Sequence, residues 1–365
     1  HSVRRFGAGS SIPSISRRVG VRVKFPMALD LPHSSLLEPH LSRRAVLHTA
    51  TVATLTLVLP RLSSASTPLL KKPVQIGVIA DLHHDVMHDG IDRLGVFLKA
   101  MEVSKPDAIL QLGDFAYPSP ENSDIITLFN QANHRPLHVI GNHDTDAGFT
   151  KDNCIDKWGI PSRYYIQDIE GLQLLVLDGN DAGSPTHKGG YVSYVGKEQM
   201  EWLKEQLATL DGPIMVACHQ PLAGAYAVDN AEEIQAVLGD AANKVVLVIN
   251  GHSHIDEVIR VKNVTYMHVN SASYKWVGSA NRHESYSEDI HTKYPSISCT
   301  CPYRDSLFTT LTFDPETFTI RVKGTRSSWV GKSPAELGLD LHPGLTNGEE
   351  IAPRIRDREF MRVST

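Results

Sequence analysis

The stretch VQIGVIADLHHD, residues 74–85, is an apolar run that stops at Asp81, with two histidines and a second acid following within four positions. A short continuous apolar run of this kind fits a strand covered on both faces. It does not account for Asp81, His83, His84 and Asp85 crowding the end of that strand. For one such cluster a solvated strand-to-helix loop is a sufficient explanation.

The cluster recurs. AILQL (108–112) ends in Gly113-Asp114, PLHVI (136–140) in Gly141-Asn142-His143-Asp144, and IMVAC (214–218) in His219. VVLVIN (245–250) ends in Gly251-His252-Ser253-His254. In open α/β sheets ligands bind at the carboxyl ends of the strands, so these ends are expected to converge.

Between the runs lie amphipathic segments. GIDRLGVFLKAMEV places Ile91, Leu94, Leu98 and Met101 at helical spacing, and GKEQMEWLKEQLATL does the same with Met200, Leu203 and Leu207. A further helix is expected near Ala231 to Leu238, and LQLLVLD, ending at Asp178, reads as a strand. Strands alternating with helices imply an α/β fold. The second half is richer in β pattern (IDEVIRV, VTYMHV, LFTTLTFD, FTIRVKG), with a hairpin expected at Pro315-Glu316-Thr317. Residues 113–130 read as a polar connection, Tyr274 to Asp305 as a long loop or small cap, and the tail after Lys332 as loosely packed.

Asp, His and Asn without cysteine form an oxygen and nitrogen donor set suited to Mn, Fe, Zn or Co. Seven residues fit: Asp81, His83, Asp114, Asn142, His219, His252 and His254. A catalytic zinc takes about three protein ligands, so seven point to two divalent ions roughly 3.5–4 Å apart that share a carboxylate. The glycines before Asp114, Asn142 and His252 are expected to let the backbone turn sharply there. Neither a G-x-S-x-G elbow nor a Walker-type phosphate loop is present. Cys218 reads as a core residue; Cys154, Cys299 and Cys301 could supply one disulfide, and their spacing matches no zinc pattern.

The blocks DLH, GD, GNHD, the His219 strand end and GHSH, in that order, resemble the calcineurin-like metallophosphoesterase family over Val74 to Val269. The resemblance implies a four-layer αββα sandwich with two central mixed sheets and a dinuclear centre at the strand ends. It implies that Asp81, His83 and His254 hold one metal, Asn142, His219 and His252 the other, and that Asp114 bridges. His143 would protonate the leaving group or contact phosphate, oriented by Asp144. The reaction implied is hydrolysis of a phosphate mono- or diester by a hydroxide held between the metals. His84, Asp85 and His88 fall outside the motifs and are not expected to be ligands. The block GDFAY (113–117) also resembles the purple acid phosphatases, where a tyrosine binds ferric iron; His83 in the first block argues for a divalent pair, with Tyr117 a neighbour only. A nuclease and a non-catalytic scaffold are further uses of the same fold. For substrate contacts, Asn180, Asp181 and His187 on the loop 177–191 and Tyr274 (or Trp276) beyond GHSH are candidates.

Charge separates the chain into two parts. Residues 1–65 hold nine Lys/Arg and two Asp/Glu, which leaves 27 basic and 39 acidic residues of the 36 and 41 in the remainder. A body with a net charge of −12 offers no basic stripe for nucleic acid, and a small-molecule phosphoester is the expected partner. The basic head contains Arg43-Arg44, a mildly apolar run from Ala45 to Leu59, then Pro60 and small residues. This order reads as a twin-arginine export signal rather than a membrane span, which needs roughly 20 apolar residues. The expectation is an exported, periplasmic or extracellular protein without stable membrane insertion. Residues 1–65 would be extension and signal, with Met27 a candidate start, and 66–365 one metallophosphoesterase domain with an insertion around 274–305.

Overall fold

A computed structural model describes residues 70–132, 135–317, 319–346 and 348–361. The Arg43-Arg44 signal and Met27 lie outside the described residues. The strands, in chain order, are β1 (Val74–Ile79), β2 (Ala108–Gln111), β3 (Arg135–His138), β4 (Tyr165–Ile169), β5 (Leu172–Leu177), β6 (Ile214–Cys218) and β7 (Val245–Asn250). They continue with β8 (Glu257–Val261), β9 (Val264–His268), β10 (Tyr274–Trp276), β11 (Thr300–Pro302), β12 (Thr309–Phe313), β13 (Thr319–Lys323) and β14 (Arg358–Met361). The α-helices are α1 (Gly90–Ser104), α2 (Ser123–Asn130), α3 (Lys151–Trp158), α4 (Lys197–Thr209), α5 (Ala231–Asp240) and α6 (Glu288–Lys293).

Two six-stranded mixed sheets form the centre, in the orders β14-β13-β12-β1-β2-β3 and β4-β5-β6-β7-β9-β8. In the first, β1, β2 and β3 run parallel and β12 is antiparallel to β1. In the second, β5, β6, β7 and β9 are parallel between the antiparallel edges β4 and β8. Alternate residues of β6 enter different cores, because strand side chains alternate between faces. Met215 and Ala217 join the cluster shared with β1, β2, α1 and α2, while Ile214, Val216 and Cys218 join α4 and α5. The result is helices, two sheets and helices in four layers.

Local readings fared unevenly. α1 buries Leu94, Phe97, Leu98 and Met101, whereas Ile91 is 46% exposed, so its apolar stripe begins one turn later than expected. The supposed polar connection to Asn130 contains α2, which buries Ile125, Ile126 and Phe129. The hairpin at Pro315 is present as β12–β13. Tyr274 to Asp305 forms the β10–β11 pair, α6 and short turns, with a small apolar cluster of Met87, Tyr274 and Ile297. The tail after Lys332 is not loose throughout. β14 extends the first sheet, and Arg356 and Arg358 pair with buried Asp256, just after the GHSH block. Cys154, Cys218, Cys299 and Cys301 are all buried free thiols, so no disulfide joins them.

Candidate metal centre

The five strand ends meet. Asp81 and His83 follow β1, Asp114 follows β2, Asn142 follows β3, His219 follows β6, and His252 and His254 follow β7. Two groups of ligand atoms form: Asp81, His83 and His254, and Asp114, His219 and His252. Asp114 lies between them, with Oδ2 at 3.1 Å from His219 Nε2 and 3.6 Å from His83 Nε2. Asn142 joins the second group, its Oδ1 3.2 Å from His219 Nε2.

The backbone is bent to make this possible. Asp81, His83, Asp114, His252 and His254 all have φ between 48° and 63°, the left-handed region that residues other than glycine rarely occupy. Such strain gathers at functional sites because the surrounding structure must over-determine it. Of the three glycines, only Gly113 supplies a positive φ (93°). Gly141 and Gly251 serve close approach instead: a Cβ on either would run into the carboxylate of Asp114 or Asp81.

Ring protons can be assigned from their partners. A carbonyl only accepts, so His219 Nδ1 donates to Leu112 O and His254 Nδ1 donates to Tyr274 O, both at 2.7 Å. Their Nε2 lone pairs therefore point inward, as metal-ligating histidines require. His254 Nε2 stands 3.2 Å from His83 Nε2 and 3.2 Å from Asp81 Oδ1. His219 Nε2 stands 3.2 Å from His252 Nδ1. The Asn142 amide nitrogen is buried without a hydrogen-bond partner. Lone pairs and carboxylates aimed at common points repel one another unless a cation lies between them. The donor set thus fits two cations with oxygen and nitrogen ligands.

Burial alone would lower the His219 ring, but the Asp114 carboxylate outweighs it and holds the ring up at about 9, so without an ion a proton shared with Asp114 takes the Nε2 position that a cation would take. Burial alone would raise Asp114, yet His219 keeps its carboxyl well below the usual carboxylate range. Burial pushes His83 well down and His252 down to about 3, so both rings are neutral and offer lone pairs.

Several expected contacts are different. Asp144 does not orient His143. It is buried and accepts N–H groups from Gly141 (2.7 Å), Asp114 (2.9 Å) and Phe115 (2.8 Å), clamping two motif loops together. Burial and then the Asp114 charge push its carboxyl up to about 8, against the Gly141 and Phe115 N–H groups and the His219 charge. His143 is met instead by Asp146 and by Tyr191, neither of which was singled out in the sequence. The signal for Asp146 was its place in HDTD; Tyr191 had none beyond lying in the candidate loop. Asn180 is buried and spent on Ile140 O, Asp178 and Gln220. Asp181 is tied to Arg163, Gly196 and Gln199. His187 lies on the exposed part of the loop. Tyr274 is buried rather than lining a wall: its ring stacks on His83 at 4.9 Å, and its carbonyl orients His254. Trp276 is 48% exposed, and its ring lies 6.3 Å from that of Tyr274.

Of the residues set aside, Asp85 accepts from the Tyr117 N–H and the Asn122 amide, both at 2.7 Å, and His88 packs edge-on to Tyr286. Tyr117 lines a small cavity with His83, Asp114 and His143. Burial and then the Asp146 and Asp85 charges push its phenol up to about 12.

The calcineurin-like phosphoesterase model matches residues 74–256, half of the chain. A curated relative from Fibrobacter succinogenes, described as a probable cyclic nucleotide phosphodiesterase, is 27% identical over 212 residues, 53% of this chain and 78% of that protein. Among solved structures, a dimetal phosphatase from Danio rerio superposes with a TM-score of 0.51 at 14% identity, covering 71% of this chain and 99% of the other. That likeness concerns the fold.

Proposed function

Because the chain belongs to the calcineurin-like phosphoesterase family and is a hydrolase of phosphoester bonds, we propose that it is a dinuclear phosphodiesterase. The observation that carries this reading is the inward convergence of the His219 and His254 lone pairs on either side of Asp114. Asp81, His83 and His254 would hold one divalent ion and Asn142, His219 and His252 the other, with Asp114 within reach of both. When bound, such a pair neutralises phosphoryl charge and brings the pKa of water near 7. The residues of the chain do the rest: the buried rings fix the donor geometry, and His143 supplies the proton taken by the leaving oxygen. The described name of the Fibrobacter relative supports a diester, cyclic nucleotides included, over a monoester.

The donor set favours Mn, Zn, Co or ferrous iron over the ferric pair of the purple enzymes. The acidic body supports a small substrate over a nucleic acid. Export through the Arg43-Arg44 signal completes the proposal; Lys at both positions should trap the precursor in the cytoplasm. The main test is turnover, with Mn²⁺ added, of bis-p-nitrophenyl phosphate, p-nitrophenyl phosphate and cyclic nucleotides. Preference for diesters supports the reading. Turnover of monoesters alone overturns it.

A further inference from the structure

Asp146 and Tyr191 belong to neither ligand group, yet both bear on His143. The His143 Nδ1 lies 2.7 Å from Asp146 Oδ2. The Tyr191 hydroxyl lies 2.8 and 2.7 Å from the two Asp146 oxygens and 3.1 Å from His143 Nδ1. The two rings pack with centroids 4.7 Å apart. Counting protons fixes the roles. An ionised carboxylate only accepts, so the phenol proton and the Nδ1 proton both go to Asp146. The phenol oxygen is then free to take a share of Nδ1–H. Burial, followed by the Asp146 hydrogen bond, pushes the Tyr191 phenol up and keeps it a donor.

Two departures of the backbone bring these groups together. Asp146 leaves the helical turn after His143 (φ −67°, ψ 175°), and Ala147 follows in the left-handed region at φ 56°. On the other side Gly189 and Gly190, with φ of 105° and 81°, immediately precede Tyr191. Glycine takes such angles without penalty, and the exposed loop can therefore fold back over His143.

We propose that Asp146 and Tyr191 are positioning residues that hold the His143 ring by Nδ1 and leave Nε2 to face the leaving oxygen of the substrate. This deepens the proposed phosphodiesterase reading and rests on its assignment of His143. As the P–O bond breaks, its electron pair passes to the departing oxygen, which takes the Nε2 proton and leaves as the alcohol. Water supplies the new P–O bond and returns a proton to Nε2. Throughout, Nδ1–H stays on Asp146, so the ring neither turns nor changes the nitrogen it presents. A carboxylate behind a catalytic imidazole acts in this way by holding tautomer and orientation.

The experiment compares phosphodiesters that share the group retained on phosphorus but differ in the leaving alcohol. A p-nitrophenolate leaves without a proton, whereas an alkoxide does not. Asp146→Ala and Tyr191→Phe are expected to lower kcat on alkyl esters by about 10–100-fold, and on p-nitrophenyl esters by less than about threefold. His143→Ala, measured alongside, should show the same selectivity at larger size. A second readout needs no turnover: in the metal-free protein the His143 Nδ1 proton should give a downfield, hydrogen-bonded NMR signal that vanishes in Asp146→Ala. Uniform losses, no losses, or a missing Nδ1 signal in the parent protein overturn the positioning role. A His143→Ala variant indifferent to the leaving group instead overturns the assignment of His143 itself, and the inference with it.

Discussion

The backbone N–H of His252 donates to both carboxylate oxygens of Asp81, at 3.0 Å each. This joins the end of β7 to the end of β1, one strand from each sheet, at the point where the candidate ligands gather. Asp81→Ala removes a candidate ligand and this tie together. The variant is expected to lose the ion held with His83 and His254 while the His219 group keeps its own. Elemental analysis of the purified variant should give about one metal per chain where the parent gives two.

Close approach at Gly141 leads to a second expectation. A methyl there meets the Asp114 carboxylate and backbone, which are themselves pinned by Asp144. Gly141→Ala should lower stability by about 1–3 kcal/mol, the usual cost of overpacking, and weaken metal retention. Denaturant midpoints of the two proteins check it. A neutral result would mean that the motif glycine has room to spare.

Acid sensitivity is predicted away from the centre, at His138. Gln111 donates to its Nδ1 and its Nε2–H donates to Asn130, so both ring nitrogens are satisfied only in the neutral form. Burial pushes the ring down to about 3 from 6.5. Between those values the unfolded chain takes a proton that the folded one refuses, so stability rises with pH across this window and is lost as pH falls. By pH 5 the loss through this group is about 2 kcal/mol. His138→Gln should therefore flatten the stability curve between pH 5 and 6.5, whatever it does to stability at pH 7.

The candidate ligands at strand ends were legible because each sits one or two places after an apolar run, where the covalent chain fixes its position. Asp81, Asp114 and His219 are of this kind. Tyr191 was not legible, since its partner Asp146 is 45 residues away and only the folded loop brings them together. Asp144 misled for a related reason. The resemblance paired its carboxylate with His143, but the buried N–H groups of Gly141, Asp114 and Phe115 claimed it. On α1, Phe97 is buried where Ile91 is exposed, so the apolar stripe runs through Leu94, Phe97, Leu98 and Met101. The tail read as loose from its Pro and Gly content; the Arg356 and Arg358 pairs with Asp256 that tie it down span about a hundred residues.

Colour tests the metal class. With a divalent pair and Tyr117 a protonated neighbour, the purified protein should be colourless and unchanged in visible absorption by Tyr117→Phe. A visible charge-transfer band abolished by that substitution would place tyrosinate on ferric iron.

Anomalous scattering from crystals grown with Mn²⁺ addresses the shared centre itself. Two peaks are expected, one against Asp81, His83 and His254 and one against Asn142, His219 and His252, with Asp114 touching both. A single peak, or a pair of which either lies out of reach of the Asp114 carboxylate, would contradict the account.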